Sequence, residues 1–248
     1  MLSNILLKIS YDGTNYSGFQ IQPNAPTIQA CLEDALSFLA KERIRVTAAG
    51  RTDAGVHAKG QVVNFKSRIS VPIEKLPVAL NSILPPDIRV EMAQLVEDSF
   101  HARYSAIEKT YSYQVYQAPI QSCFLRLYSL WVSNPIDWEK VEQAGKMLIG
   151  KHDFKGFAAT GSSVQTSVRT MKDFQIKKEG RLTTMYFTAD GFLYHMVRNI
   201  VGTLLEIGTH KRSTSDIALI LERKDRSLAG PTAPPQGLFL ESVLYLLS

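Results

Sequence analysis

The spacing of hydrophobic positions changes repeatedly along this chain, and each change marks an element. Residues 4–10 alternate and are rich in β-formers, which predicts a first strand. Pro26-Thr27 then opens a stretch where Ile28, Cys31, Leu32, Ala35, Leu36 and Leu39 recur at helical spacing, with Thr27 placed to cap it. Gln61-Val62-Val63-Asn64-Phe65 predicts a strand, 72–80 a short helix ended by a proline-containing turn, and 89–96 another strand. In residues 108–116, Tyr111, Tyr113 and Val115 share one face of a strand. Further on, Trp138, Val141, Gly145 and Leu148 mark a helix stopped by Gly150. Residues 152–157 and the Ser/Thr/Gly-rich stretch 159–168 predict loop. Residues 167–177 and 182–189 predict two strands joined by Lys178-Glu179-Gly180-Arg181. The most apolar long segment, 192–208, predicts a helix buried on most sides; 214–223 predicts another helix and 237–245 a closing strand.

Strand–helix–strand units recur in each half. The expected fold class is therefore α+β, with two similar halves whose sheets join. Residues 117–122 are the best linker candidate on composition. No low-complexity tract interrupts the pattern.

Composition narrows the class without choosing a function. The chain has 248 residues, 45% hydrophobic and 21% charged, which suits a globular protein with a sizeable core. No apolar run reaches the length of a membrane span. Met1-Leu2-Ser3-Asn4-Ile5-Leu6-Leu7-Lys8 lacks a basic n-region and a small-residue cleavage site, so it reads as the first strand rather than an export signal. With that, and with only Cys31 and Cys123 present, a reducing cytoplasm is the expected compartment, and Cys31 is expected as a buried free thiol. The net charge of +5 is compatible with a polyanionic partner and does not establish one.

Candidate chemistry centres on Ala49-Gly50-Arg51-Thr52-Asp53-Ala54-Gly55-Val56-His57-Ala58. Two glycines flank an arginine and an aspartate whose spacing puts them on one side of extended chain. A neighbouring guanidinium favours the ionised carboxylate. The same pattern also makes an ordinary surface turn, in which an Asp bonds its own backbone. Asp53 and His57 lack a third metal ligand, and both cysteines are remote, so no metal is expected. Upstream, Tyr11-Asp12-Gly13-Thr14-Asn15-Tyr16-Ser17-Gly18-Phe19-Gln20 is a turn-rich loop whose three aromatics could stack on bases or plug a core edge. Downstream, His195, Arg198, Asn199, Gly202 and Glu206 form a polar stripe along 192–208. A buried Arg198 requires a partner, and Asp53 is the obvious carboxylate.

Taken together, these motifs resemble the tRNA pseudouridine synthase A family nearly end to end. The resemblance rests on Tyr11-Asp12-Gly13-Thr14, Gly18-Phe19-Gln20, Thr27-Ile28-Gln29, the Gly50–Ala58 signature and Gly60-Gln61-Val62. It continues through Phe100-His101-Ala102-Arg103-Tyr104, Lys109-Thr110-Tyr111, His195-Met196-Val197-Arg198-Asn199-Ile200-Val201-Gly202 and Gly237-Leu238. It implies isomerisation of uridine to pseudouridine at positions 38, 39 and 40 of the tRNA anticodon arm, by an intramolecular transfer with no cofactor and no metal. It implies a homodimer binding tRNA, and two ferredoxin-like halves (1–106 and 107–248) sharing a central, largely antiparallel sheet with the active-site cleft between them. By the same resemblance Asp53 is the nucleophile, Arg198 pairs with and orients it, and Tyr111 stacks on the uracil as candidate general base. Arg51 contacts RNA or helps flip the nucleotide, and Leu238 packs on the base.

Three readings are open to the sequence: an RNA-modifying isomerase, a non-catalytic RNA-binding protein with Asp53 a turn residue, and an N-glycosidase. A hydrolytic glycosidase normally brings two carboxylates to the bond, whereas only one sits in the signature here.

Overall fold

The computed structural model describes residues 2–159 and 166–246. Most of the expected 159–168 loop lies outside them. The chain divides into two units, Met1–Ile107 with Phe239–Ser248, and Glu108–Leu238. The division falls ahead of the 117–122 stretch, and the closing segment expected with the second half returns to the first.

In the first unit, β1 (Ser3–Tyr11) lies between β3 (His57–Ser67) and β4 (Ile88–Val96), antiparallel to both. The short β2 (Thr47–Ala48) pairs with β3. α1 (Ile28–Ala40) begins where expected: Thr27 is extended, and its hydroxyl accepts from the Ala30 amide, satisfying a first-turn donor. Its apolar stripe buries Ile28, Leu32, Ala35 and Leu36, while Cys31 is only half-buried. α2 (Leu76–Asn81) buries Leu76 and Leu80, and β1 buries Ile5, Leu7 and Ile9. β1 does not alternate cleanly because its other face is covered too: Leu6 packs with Ala49, Val62 and Ala102, against Phe100, Val243 and Tyr245.

In the second unit, β5 (Glu108–Gln117), β9 (Leu182–Ala189), β8 (Val168–Glu179) and β7 (Gly150–Asp153) run antiparallel in that order. β6 (Leu130–Val132) adds in parallel to β5. β7 starts at the expected helix stop, Gly150, and runs into residues 152–153, expected as loop; its Gly-Lys-His-Asp sequence has no apolar alternation, and backbone pairing defines it. α3 (Trp138–Lys146) is capped by Asp137, and its Gly145 lies against the Phe174 ring, where a Cβ would come within 2.0 Å.

The apolar helix is shorter than its hydrophobicity suggests. α4 spans Met196–Gly208, because His195 takes a left-handed φ of 59° and breaks the helical run ahead of it. α5 covers Asp216–Arg223. The final strand, β10 (Leu238–Leu244), lies parallel to β3, with Phe239 opposite His57 and Leu240 opposite Ala58.

Candidate active site

Asp53 sits at the first position of a β-turn closed by a hydrogen bond from the Val56 amide to the Asp53 carbonyl, 3.1 Å. Gly55, third in the turn, has φ +74°, the requirement of a type II turn, so glycine is needed there. Thr52 is buried while Arg51 is exposed and Asp53 half-buried, the alternation of extended chain. The turn runs directly into β3, the strand at the centre of the first unit's fold.

The Tyr11–Gln20 loop builds the floor beneath this turn. Its aromatics go inward: Tyr11, Tyr16 and Phe19 are all buried. Phe19 N donates to Thr52 O at 3.0 Å, and Gly55 N donates to Tyr16 O at 3.3 Å. The Tyr11 hydroxyl meets Thr52 Oγ1 at 2.8 Å, and Gln61 Nε2 donates to Gly50 O at 2.8 Å. Burial pushes the Tyr11 hydroxyl up to about 12, with the Thr52 and Gln61 contacts opposing, so it is a neutral peg at working pH. Gly13 N donates to His57 Nδ1 at 3.1 Å, and an Asp12 carboxylate oxygen lies at the same distance. The His57 ring stacks on Phe239, centroids 4.7 Å apart.

Two glycines let the loop lie flat on the turn. A Cβ at Gly13 would stand 2.0 Å from Val56 O, and one at Gly18 2.8 Å from Thr52 O and 3.1 Å from Asp53 C. Gly18 also has φ +92°. Gly18→Ala is therefore expected to cost about 1–3 kcal/mol and to displace the Asp53 backbone. Denaturation curves check this, and a midpoint equal to the parent's would show that the loop has slack.

The second unit carries Tyr111, Arg198 and Leu238. Tyr111 is buried on β5, and its ring meets Phe192 edge-on at 5.0 Å. Arg198 is half-buried rather than enclosed, and its Nε donates to Ala233 O at 2.7 Å, while Ala233 N donates back to Arg198 O at 3.0 Å. Leu238 is buried at the start of β10.

The polar stripe of α4 has a structural task that its spacing did not reveal: it grips the strap of residues 226–237 leading to Leu238. Buried Asn199 accepts through Oδ1 from Arg226 Nη2 at 2.9 Å and from Thr232 Oγ1 at 2.6 Å, and donates to Phe157 O at 2.8 Å. Arg226 also donates to Gly230 O at 3.0 Å, and desolvation by burial lowers its pKa. Gly230 N donates to Thr203 Oγ1 at 2.8 Å. At Gly202 a Cβ would fall 1.7 Å from Pro231 O, so the strap crosses the helix at a point only glycine allows. Tyr113 pins the far end by donating to Pro234 O at 2.8 Å. Arg226 was not legible as a site-forming residue; the only signal was an arginine heading a Gly/Pro-rich stretch.

Among the described residues no group of three or more His, Cys, Asp or Glu side chains is placed to hold a metal, and no helix is long and apolar enough to cross a membrane. A family model described as tRNA pseudouridine synthase matches residues 8–105 and 144–245. The chain is 46% identical over 244 residues to a tRNA pseudouridine synthase A of Thermoanaerobacter sp. (strain X514), covering 98% of this chain and 100% of the relative. It is 47% identical over 239 residues to the protein of that name from Bacillus licheniformis, covering 96% and 97%. Among solved structures, an H/ACA RNP bound to a substrate RNA containing 2′-deoxyuridine aligns with 82% of this chain and 53% of that chain. At 11% identity and a TM-score of 0.34, that likeness is too slight to carry an inference.

Proposed function

The chain belongs to the tRNA pseudouridine synthase family, and from that premise we propose that it isomerises uridine to pseudouridine at positions 38, 39 and 40 of the tRNA anticodon arm, with Asp53 as its nucleophile. The observation that carries the site reading is the scaffolding of the Asp53 turn. A surface turn needs only its own closing hydrogen bond, whereas this one is also held by Tyr11, Tyr16, Phe19 and Gln61. Such bracing is what a carboxylate needs if it must meet a reacting atom at fixed geometry.

The reaction breaks the N1–C1′ bond, turns the uracil, and joins C5 to C1′. The C5 proton then leaves and N1 gains one, so composition is conserved. Asp53 attacks or electrostatically supports the electron-poor centre as the glycosidic bond breaks. Tyr111 stacks on the uracil and accepts the C5 proton. Arg198 holds the Asp53 carboxylate ionised and oriented, its own Nε being fixed by Ala233 O. Exposed Arg51 contacts the backbone of the flipped nucleotide, because a base in a stem must leave its stack before it reacts. Leu238 packs on the base. On the same reading the enzyme acts as a cytoplasmic homodimer, in keeping with two free cysteines.

A tRNA transcript with tritium at uridine C5 tests the reaction. Isomerisation releases label to water and leaves the RNA intact; binding alone releases none; a glycosidase frees uracil and leaves abasic sites. Arg198→Ala is expected to lower the single-turnover rate about 10²–10³-fold. Arg198→Lys should recover little, because an ammonium cannot hold Ala233 O and a carboxylate in one fixed fork. Release by Arg198→Ala at the parent rate would remove Arg198 from the site.

A further inference from the structure

The stretch Phe100-His101-Ala102-Arg103-Tyr104 has no part in the reaction above, yet the first unit anchors it from several directions. Buried Asn4 donates from Nδ2 to Glu97 O and Phe100 O, each at 2.9 Å. Asn64 accepts from Ala102 N at 2.9 Å, and its Nδ2 donates to Asn4 Oδ1 at 2.9 Å. The Tyr245 hydroxyl donates to Ala102 O at 2.6 Å, and its ring lies 5.0 Å from that of Phe100. Ala102 is fully buried. The backbone at 100–102 is therefore fixed from beneath.

The next residues face the other way. His101 Nδ1 accepts from the amides of Arg103 and Tyr104 at 3.2 and 3.3 Å, and Ser105 N donates to His101 O at 2.9 Å. The imidazole then supports the Tyr104 ring, centroids 4.3 Å apart at 33°, with the Arg103 guanidinium 5.7 Å from the ring centre. Even so, Tyr104 is 76% exposed. Single exposed aromatics are ordinary on protein surfaces. A tyrosine propped on an imidazole, over anchored backbone and beside an exposed cation, is more than that.

We propose that Tyr104 and Arg103 form a stacking platform for an unpaired nucleobase of the RNA substrate, with the arginine at the adjoining phosphate. The proposal rests on the reading of the chain as a tRNA-modifying enzyme. A ring already held in place loses little conformational freedom when a base stacks on it, and every base offers a π-face. Arginine beside the ring adds cation–π attraction and a contact to the phosphate.

Filter binding of an unmodified tRNA transcript, and of a fully paired RNA hairpin stem, to the whole protein tests this. Tyr104→Ala should weaken tRNA binding about tenfold, Tyr104→Phe should restore it, and binding of the paired stem should not change. Arg103→Ala should reduce the slope of log affinity against log salt by about one. Melting of Tyr104→Ala should match the parent, since the side chain is largely exposed. Parent-like tRNA affinity in Tyr104→Ala overturns the platform. So does an equal loss on the paired stem, or a loss that comes with a lowered melting temperature and is not restored by phenylalanine. A parent that releases no tritium from tRNA overturns the enzyme reading instead, so the two failures are distinguishable.

Discussion

Asp53→Asn is expected to keep the parent's fold and its affinity for tRNA while its rate of pseudouridine formation falls about 10⁴-fold or more. The turn is closed through the Asp53 carbonyl and fixed through the backbone of Thr52 and Gly55, none of which the substitution touches. Asparagine also suits the first position of a turn and is nearly the same size. What disappears is the negative charge and the nucleophilic oxygen. Loss of activity together with an unchanged melting curve therefore assigns the chemistry to the carboxylate and not to the scaffold. Single-turnover tritium release on tRNA, beside thermal melting, makes the comparison. A rate within tenfold of the parent would return Asp53 to the role of a turn residue.

Tyr111→Phe is the second large effect. The Tyr111 ring is buried on β5 and lies edge-on to Phe192, so phenylalanine fills the same space and keeps the same aromatic contact. Stacking on the uracil should survive, and tRNA affinity with it. Removing the proton acceptor should slow release of the C5 label about 10²–10⁴-fold. Equal turnover in the two proteins would leave Tyr111 with stacking alone.

The parts of the molecule visible in the sequence are those whose cause is local. Thr27 caps α1 because a threonine before an apolar helical stripe satisfies a nearby amide. The glycines of the Asp53 signature mark a turn because Gly55 has a backbone angle that other residues avoid. Features set by distant backbone were not visible. β7 has no side-chain pattern of its own and exists because β8 lies alongside it. The helix expected to begin at Phe192 begins at Met196, since hydrophobicity continues through Leu193 while the left-handed His195 interrupts the geometry. Arg198 was expected on a buried helix with a carboxylate for a partner; the side chain is half-buried, and its Nε also donates to the carbonyl of Ala233, a contact no charge pattern can announce. Likewise Asn4 and Asn64 read as polar interruptions of two strands, and only the fold shows them anchoring the 100–102 backbone.

The parallel pairing of β10 with β3 has a consequence for synthesis on the ribosome. Lys59 meets Glu241, a partner 182 residues further along the chain, at 2.9 Å. Phe239, which stacks on His57 just after the Asp53 turn, is equally late to emerge. At roughly 5–20 residues per second, the strand that completes the first unit follows the signature turn by roughly 10–40 s. During that interval the His57–Ala58 end of β3 lacks its parallel neighbour, and its backbone is open to the wrong one. A nascent chain long enough to contain Asp53, Arg198 and Tyr111 still lacks the strand that braces the first of them. Catalytic competence should therefore wait for β10, and a stop codon shortly before Phe239 should yield an aggregation-prone protein and not a partly active one, as sedimentation and tritium release would show.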